Sequence, residues 1–184
     1  ETCANIGNLL WNYRMLQVSG DAKYADVMEL ALYNSILSGI SLNGTKFLYT
    51  NPLAVSDELP FKQRWSKDRV PYISYSDCCP PNVVRTISEV SNYAYSISEK
   101  GLWFNLYGGN TLSTKLEDGS SLRLTQETNY PWDGDLQFLV TPQKTSSFEV
   151  RVRIPGWAVN KPIPSDLYSF EDTFTEQPKV FLND

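Results

Sequence analysis

The spacing of apolar residues changes period once, near residue 96, and that change limits the chain to a helical part followed by a stranded part. Over residues 3–18, Ile6, Leu9, Leu10, Tyr13 and Leu16 or Gln17 recur at i, i+3, i+4, i+7 spacing, which predicts an amphipathic helix. Ser19-Gly20-Asp21 then supplies a stop and a new N-cap. Residues 22–38 repeat the pattern through Tyr24, Val27, Leu30, Ala31 and Ile36, and the short loop between the two helices predicts antiparallel neighbours. In ISLNGTKFLYTN (40–51), Asn43-Gly44 flanked by β-like runs predicts a hairpin, because both residues tolerate positive φ. Residues 52–77 read as a long irregular connection, a kind of segment that is usually functional or missing a partner. Pro80 and Pro81 suit a helix's first turn, so a third helix is expected through Val83, Val84, Ile87, Val90 and Ala94. From residue 97 the period is two. LWFNLY (102–107), STKLE (113–117), SLRLTQE (121–127), LQFLV (136–140) and FEVRVRIP (148–155) alternate with turn clusters, and KVFLND reads as one more strand. The reading is a two-part α+β fragment, helices over 1–95 and an antiparallel β-sandwich over 96–184.

Composition removes several functions. An apolar share of 41% with 13% aromatics is ample for a packed core. A net charge of −5, without a run of five like charges, speaks against a nucleic-acid partner. No apolar stretch is long enough to span a bilayer, so no membrane partner is expected. The count of histidines is 0, which rules out a Ser-His-Asp triad, a Cys-His pair or a histidine zinc site built from this chain. Any acid or base within it must be Asp, Glu, Lys, Tyr or Cys. The chain opens on Glu1 with a helical pattern and no leading loop, as in a piece cut from a longer protein.

Residues 75–82, YSDCCPPN, place two of the 3 cysteines side by side. Three readings stand open for Cys3, Cys78 and Cys79. They are buried thiols, since free cysteine behaves as a small hydrophobe; or parts of a disulfide framework, which the odd count disfavours; or, with Glu1, ligands of a metal. Three thiolates and a carboxylate suit a tetrahedral zinc shell. Adjacent cysteines point to opposite sides of an extended chain, so both face one ion only if the backbone bends there.

The stretches ETCANIGNLLWNYRML, GDAKYADVMELALYNSILSGISLNGTKFLYTNPL, DCCPPNVVR and LTQETNYPWDG…RVRIPGW together closely resemble glycoside hydrolase family 127, with family 146 a near relative. The resemblance covers essentially the whole chain. It implies the last helices of an (α/α)6 barrel followed by a β-sandwich, and a zinc ion held by one glutamate and three cysteines. Matched motif by motif, these ligands fall on Glu1, Cys3, Cys78 and Cys79, with Cys78 as the nucleophile. The implied activity is that of a retaining β-L-arabinofuranosidase acting on arabinofuranoside-containing plant glycans. The family's acid/base glutamate lies on the N-terminal side of the ETC motif, outside this sequence, so the isolated chain is expected to be inactive. A fraying Glu1 would leave zinc only partly bound. Apolar helix faces left uncovered predict a homo-oligomer.

Several other residues carry a functional and a plain reading. Tyr49, Tyr72, Tyr75 and Trp65 offer flat faces suited to a sugar ring, though most aromatics are core; Tyr49 is read as core, and Tyr72 and Tyr75 are the candidates to line a pocket. Asn82 and Arg85 either orient the cysteine site or cap and pair on a helix surface. Asp57, Glu58 and Asp77 are read as solvated loop charges rather than substitute acids. Trp132 and Trp157 are read as structural, at strand corners. Two alternatives to the hydrolase remain at this level: a carbohydrate-binding accessory module, and a catalytically silent homologue with a structural zinc. Free thiols suit a reducing bacterial cytoplasm, while zinc-held thiolates also survive a periplasm, so the compartment is open.

Overall fold

The computed structural model describes residues 1–51, 54–56, 68–71 and 78–183. Its contacts divide into two units, Glu1–Val90 with Pro155–Asp184, and Ser91–Ile154.

In the first unit, α1 (Thr2–Ser19) buries Thr2, Ile6, Leu9, Asn12 and Leu16 on one stripe. It ends at Gly20, whose φ of 65° is the left-handed conformation that a glycine adopts without a Cβ penalty, and whose N–H donates to the Leu16 carbonyl. The Asp21 carboxylate accepts from the Lys23 N–H and caps α2 (Ala22–Ala31). Asp21→Ala removes that acceptor and is expected to cost about 1 kcal/mol in urea unfolding, whereas Asp21→Asn should stay near wild type.

α2 buries Ala25, Met28, Glu29 and Ala31. The predicted second helix does not continue regularly to residue 38: it widens into a π-turn at Leu32–Ile36 and tightens into a 3₁₀ turn at Leu37–Gly39. Ile40 bridges to Phe47 across the expected hairpin, but of the Asn43-Gly44 pair only Gly44 takes a positive φ, 72°. The Gly44 N–H closes the turn on the Ser41 carbonyl at 2.8 Å. β1 (Lys46–Phe47) pairs antiparallel with β2 (Val70–Pro71). α3 (Cys79–Glu89) carries Pro80 and Pro81 in its first turn and buries Cys79, Pro80, Val83 and Thr86. Val84 and Ile87, two of the apolar residues on which the helix was expected, are 55% and 42% exposed.

Residues 156–159 form a 3₁₀ turn that docks on α2. The Gly156 N–H donates to Asp26 Oδ2 at 3.1 Å, and the Trp157 indole N–H donates to Glu29 Oε1 at 3.0 Å. Trp157 is therefore a helix-docking residue rather than a strand corner, because its indole needs an acceptor and the buried Glu29 carboxylate provides one. KVFLND forms no strand among its described residues: Val180, Phe181 and Leu182 are 72%, 70% and 83% exposed, with no ladder partner.

The second unit holds a short helix, α4 (Ser91–Ala94), and six strands: β3 (Tyr95–Ser98), β4 (Gly101–Phe104), β5 (Asn110–Lys115), β6 (Ser121–Thr128), β7 (Leu136–Pro142) and β8 (Glu149–Val152). β5-β6-β7 is an antiparallel meander, while β3-β4-β8 is mixed because β8 runs parallel to β4. Leu102 and Phe104 of one sheet share a core with Leu122 and Leu124 of the other, joined by Tyr107 and Leu116. Burying each such side chain is worth about 2 kcal/mol. The Phe104 and Phe138 rings lie 4.5 Å apart. Gln126, buried on the same face, donates to the Tyr95 hydroxyl at 2.7 Å, which donates to Asn110 Oδ1 at 2.6 Å. The chain is thus a mixed helical and sheet protein. No described helix is long and apolar enough to cross a membrane.

Candidate metal centre

Two helix N-termini bring the site together. The Thr2 N–H donates to the Tyr49 carbonyl at 3.0 Å, and the buried Thr2 hydroxyl donates to the Leu48 carbonyl at 2.8 Å. These bonds tie the first turn of α1 to the chain beyond the hairpin, so Cys3 emerges at a fixed place. At the start of α3, Cys78 is the N-cap in a right-handed helical conformation (φ −88°, ψ −38°), and Cys79 is the first helical residue. The required bend is therefore the helix itself. Successive side chains leave a helix about 100° apart instead of the 180° of a strand, which lets neighbouring sulfurs share one side. Pro80 and Pro81 lack N–H groups that the first turn would leave unpaired.

One donor atom from each of Glu1, Cys3, Cys78 and Cys79 lies within 4.8 Å of the other three. The Cys3 and Cys79 sulfurs are 3.4 Å apart and those of Cys78 and Cys79 are 3.7 Å apart. A disulfide would need about 2.0 Å. A tetrahedral zinc with Zn–S bonds of 2.3 Å separates its sulfurs by about 3.8 Å. The spacing and the three-sulfur, one-oxygen donor set both fit a zinc-like cation, and the cluster could hold one. Cys79 is buried, Cys3 half-buried and Cys78 exposed.

Burial pushes the Cys3 thiol above its ordinary value, against a lowering hydrogen bond from Asn82. Burial pushes Cys79 up more strongly, and the side-chain contact with Cys3 adds to it. Without a cation these two thiols stay protonated at neutral pH. A bound cation must displace their protons, so its affinity rises with pH. The positive ends of α1 and α3 both face the cluster and partly offset the cost of gathering anionic sulfurs.

Asn82, one turn into α3, completes the surroundings. Its amide donates to Cys3 Sγ at 3.1 Å, and its oxygen accepts from the Arg85 guanidinium at 2.8 Å. Of the two readings open for this pair, the contacts put Asn82 at the cysteines. Thr2 was not singled out by sequence. The available signal was its place on the Ile6–Leu9 stripe, which forces a hydroxyl inward and requires an acceptor. Tyr72 and Tyr75 lie outside the described residues, as do Asp57, Glu58, Trp65 and Asp77. Trp132 is 86% exposed in the turn after β6.

The family model of the β-L-arabinofuranosidase GH127 catalytic domain matches residues 1–92, and that of the GH127 middle domain matches residues 101–169. The chain belongs to glycoside hydrolase family 127. It is 32% identical over 164 residues to a non-reducing end β-L-arabinofuranosidase of Bifidobacterium longum subsp. longum, covering 86% of this chain and 24% of that protein. Among solved structures, a GH127 β-L-arabinofuranosidase from Geobacillus stearothermophilus superposes with a TM-score of 0.80 at 42% identity, over 86% of this chain and 25% of that one. A GH127 β-arabinofuranosidase, BT3674, superposes with a TM-score of 0.84 at 40% identity, over 97% of this chain and 26% of its own. The chain spans about a quarter of the length of these relatives.

Proposed function

We propose that this chain is the thiol-bearing part of a retaining β-L-arabinofuranosidase, with Glu1, Cys3, Cys78 and Cys79 holding a zinc ion and Cys78 acting as the nucleophile. The observation that carries the reading is the convergence of the four donor atoms within 4.8 Å, in which Cys78 alone of the three cysteines is exposed. When bound, the cation supplies charge that keeps the coordinated thiols deprotonated near neutral pH. The residues then divide the work. Cys79 and Cys3 are held in place by α3 and α1, and Cys78 faces outward to meet a sugar. Cys78 Sγ attacks the anomeric carbon, a C–S bond forms as the glycosidic C–O bond breaks, and the leaving oxygen takes a proton from an acid. A water then returns the hydroxyl to the anomeric carbon and frees the sulfur, with its proton going to the same residue acting as base. The acid/base is a glutamate outside this chain, by resemblance to the family. Trp11 and Val18 on α1, 67% and 82% exposed, offer apolar surface that further barrel helices of a longer protein would cover. The substrate class is a glycan bearing terminal L-arabinofuranose.

Calorimetry tests the centre. One zinc ion per chain should bind with the release of roughly three protons, one from each cysteine, visible as a dependence on buffer ionisation heat, and affinity should climb about 1,000-fold per pH unit below the thiol titration. The same chain should release no arabinose from a β-L-arabinofuranoside, while the longer protein does so with retention of configuration. Zinc binding that persists unchanged when all three cysteines are replaced would sink the assignment. Metal binding by a longer protein without hydrolysis would leave a silent homologue with a structural zinc.

A further inference from the structure

The three sulfurs of the cluster are chemically alike, yet only one can serve as nucleophile, and their hydrogen bonds differ. Cys3 Sγ receives an N–H from the Asn82 side chain at 3.1 Å. Cys79, fully buried, receives a backbone hydrogen bond from Cys3. Among the described residues, Cys78 Sγ has no N–H donor; its polar neighbours are the other donors of the cluster, among them the Cys3 thiol and the Cys79 sulfur, the latter at 3.7 Å. An N–H aimed at a thiolate draws charge from sulfur, and nucleophilicity falls with basicity.

The Asn82 amide is not free to turn over. Its backbone N–H donates to the Cys78 carbonyl at 3.2 Å, and its carbonyl oxygen accepts from Arg85 at 2.8 Å. A flipped amide would set its NH₂ against the guanidinium and its oxygen against the sulfur, losing both bonds. Arg85 thus selects the face that Asn82 shows to Cys3. Thr86 helps by donating its hydroxyl to the Asn82 carbonyl at 2.8 Å, which holds that turn of α3.

We propose that Asn82, oriented by Arg85, is a positioning residue that damps the reactivity of the Cys3 sulfur and thereby leaves Cys78 as the reacting thiolate. This rests on the metal-centre reading above. The division of labour is written into one turn of helix: the residue that quiets Cys3 stands four positions after the sulfur that reacts. The effect is selectivity among ligands, which a merely structural asparagine would not provide.

The test uses the purified chain loaded with Co²⁺, which reports sulfur donation through its thiolate charge-transfer absorption, and iodoacetamide with the modified cysteines mapped by mass spectrometry. In the wild type, Cys78 should be alkylated faster than Cys3 by about tenfold or more, the scale on which outer contacts tune metal ligands. Asn82→Leu, similar in size but without a donor, should raise the Cys3 rate roughly tenfold, shift the charge-transfer band to lower energy and leave the Cys78 rate within about twofold. Asn82→Asp, which turns an oxygen toward the sulfur, should do the same if the leucine variant misfolds. Arg85→Gln should move both readouts part of the way by releasing the amide. Unchanged cysteine selectivity and an unchanged band in cobalt-loaded Asn82 variants would overturn this proposal and leave the metal centre standing. Failure of the wild-type chain to bind cobalt would overturn both.

Discussion

Cys78→Ala, which removes the proposed nucleophile, is expected to cut arabinofuranoside hydrolysis by a longer protein bearing this chain by about 10⁴-fold or more, the scale seen when an enzyme loses its nucleophile. The thiol is exposed and its removal opens no cavity, so the variant should keep its melting temperature apart from whatever the lost donor costs the metal site. Cys79→Ala gives the contrasting pattern. That sulfur is buried and touches both neighbours, at 3.4 Å and 3.7 Å. Its loss should lower metal affinity by more than the roughly 100-fold that outer-shell changes produce. Activity in the Cys79 variant should then return in part with excess zinc, whereas Cys78→Ala should stay inactive at any zinc concentration. Recovery of Cys78→Ala by zinc would mean that Cys78 only holds the cation. Kinetics at several zinc concentrations, with bound metal measured in each sample, decides between the two.

Gly101→Ala should destabilise the strand unit by about 3–4 kcal/mol, combining a backbone clash with a conformation that L-residues avoid. Gly101 opens β4 at a φ of 141°, and a Cβ there would stand 2.1 Å from the Glu149 carbonyl oxygen and 2.8 Å from its nitrogen. Neither is a flexible side-chain end, so the parallel β4–β8 pairing must part to make room. Gly134→Ala is the control, with nothing within 4 Å of its added carbon, and should stay within about 0.5 kcal/mol. Urea midpoints followed by Trp103 fluorescence report the difference. Equal midpoints for the two variants would mean that β8 does not hold β4 as described.

Much of this architecture was legible residue by residue. The first helix, expected over 3–18, spans Thr2–Ser19, and the strand expected over 121–127 spans Ser121–Thr128. Both depend on local rules, a periodicity bounded by a stop signal. Legibility failed where a partner decides. The apolar residues of α3 did not by themselves say which face is buried: Cys79, Pro80, Val83 and Thr86 are, whereas Val84 and Ile87 are exposed. The N-terminus of α3 had to turn its cysteines toward α1, and that orientation fixes the rest of the helix. Strand alternation assigned faces to β8 but carried no information on its neighbour or direction, and the parallel pairing with β4 went unforeseen. KVFLND had strand composition, yet its described residues pair with no strand.

The sequence by itself determined the inventory: four donors of a kind that hold zinc, no histidine to assist them, motifs of family 127, and helices giving way to strands. Only the tertiary structure decided that sulfurs 76 positions apart stand 3.4 Å from each other, and that one of the three faces outward. The reason is physical. A residue's type and its helical register are properties of a few neighbours along the chain, whereas the meeting of two helix N-termini depends on how Thr2, the hairpin and the buried face of α3 pack together, and no local pattern encodes that.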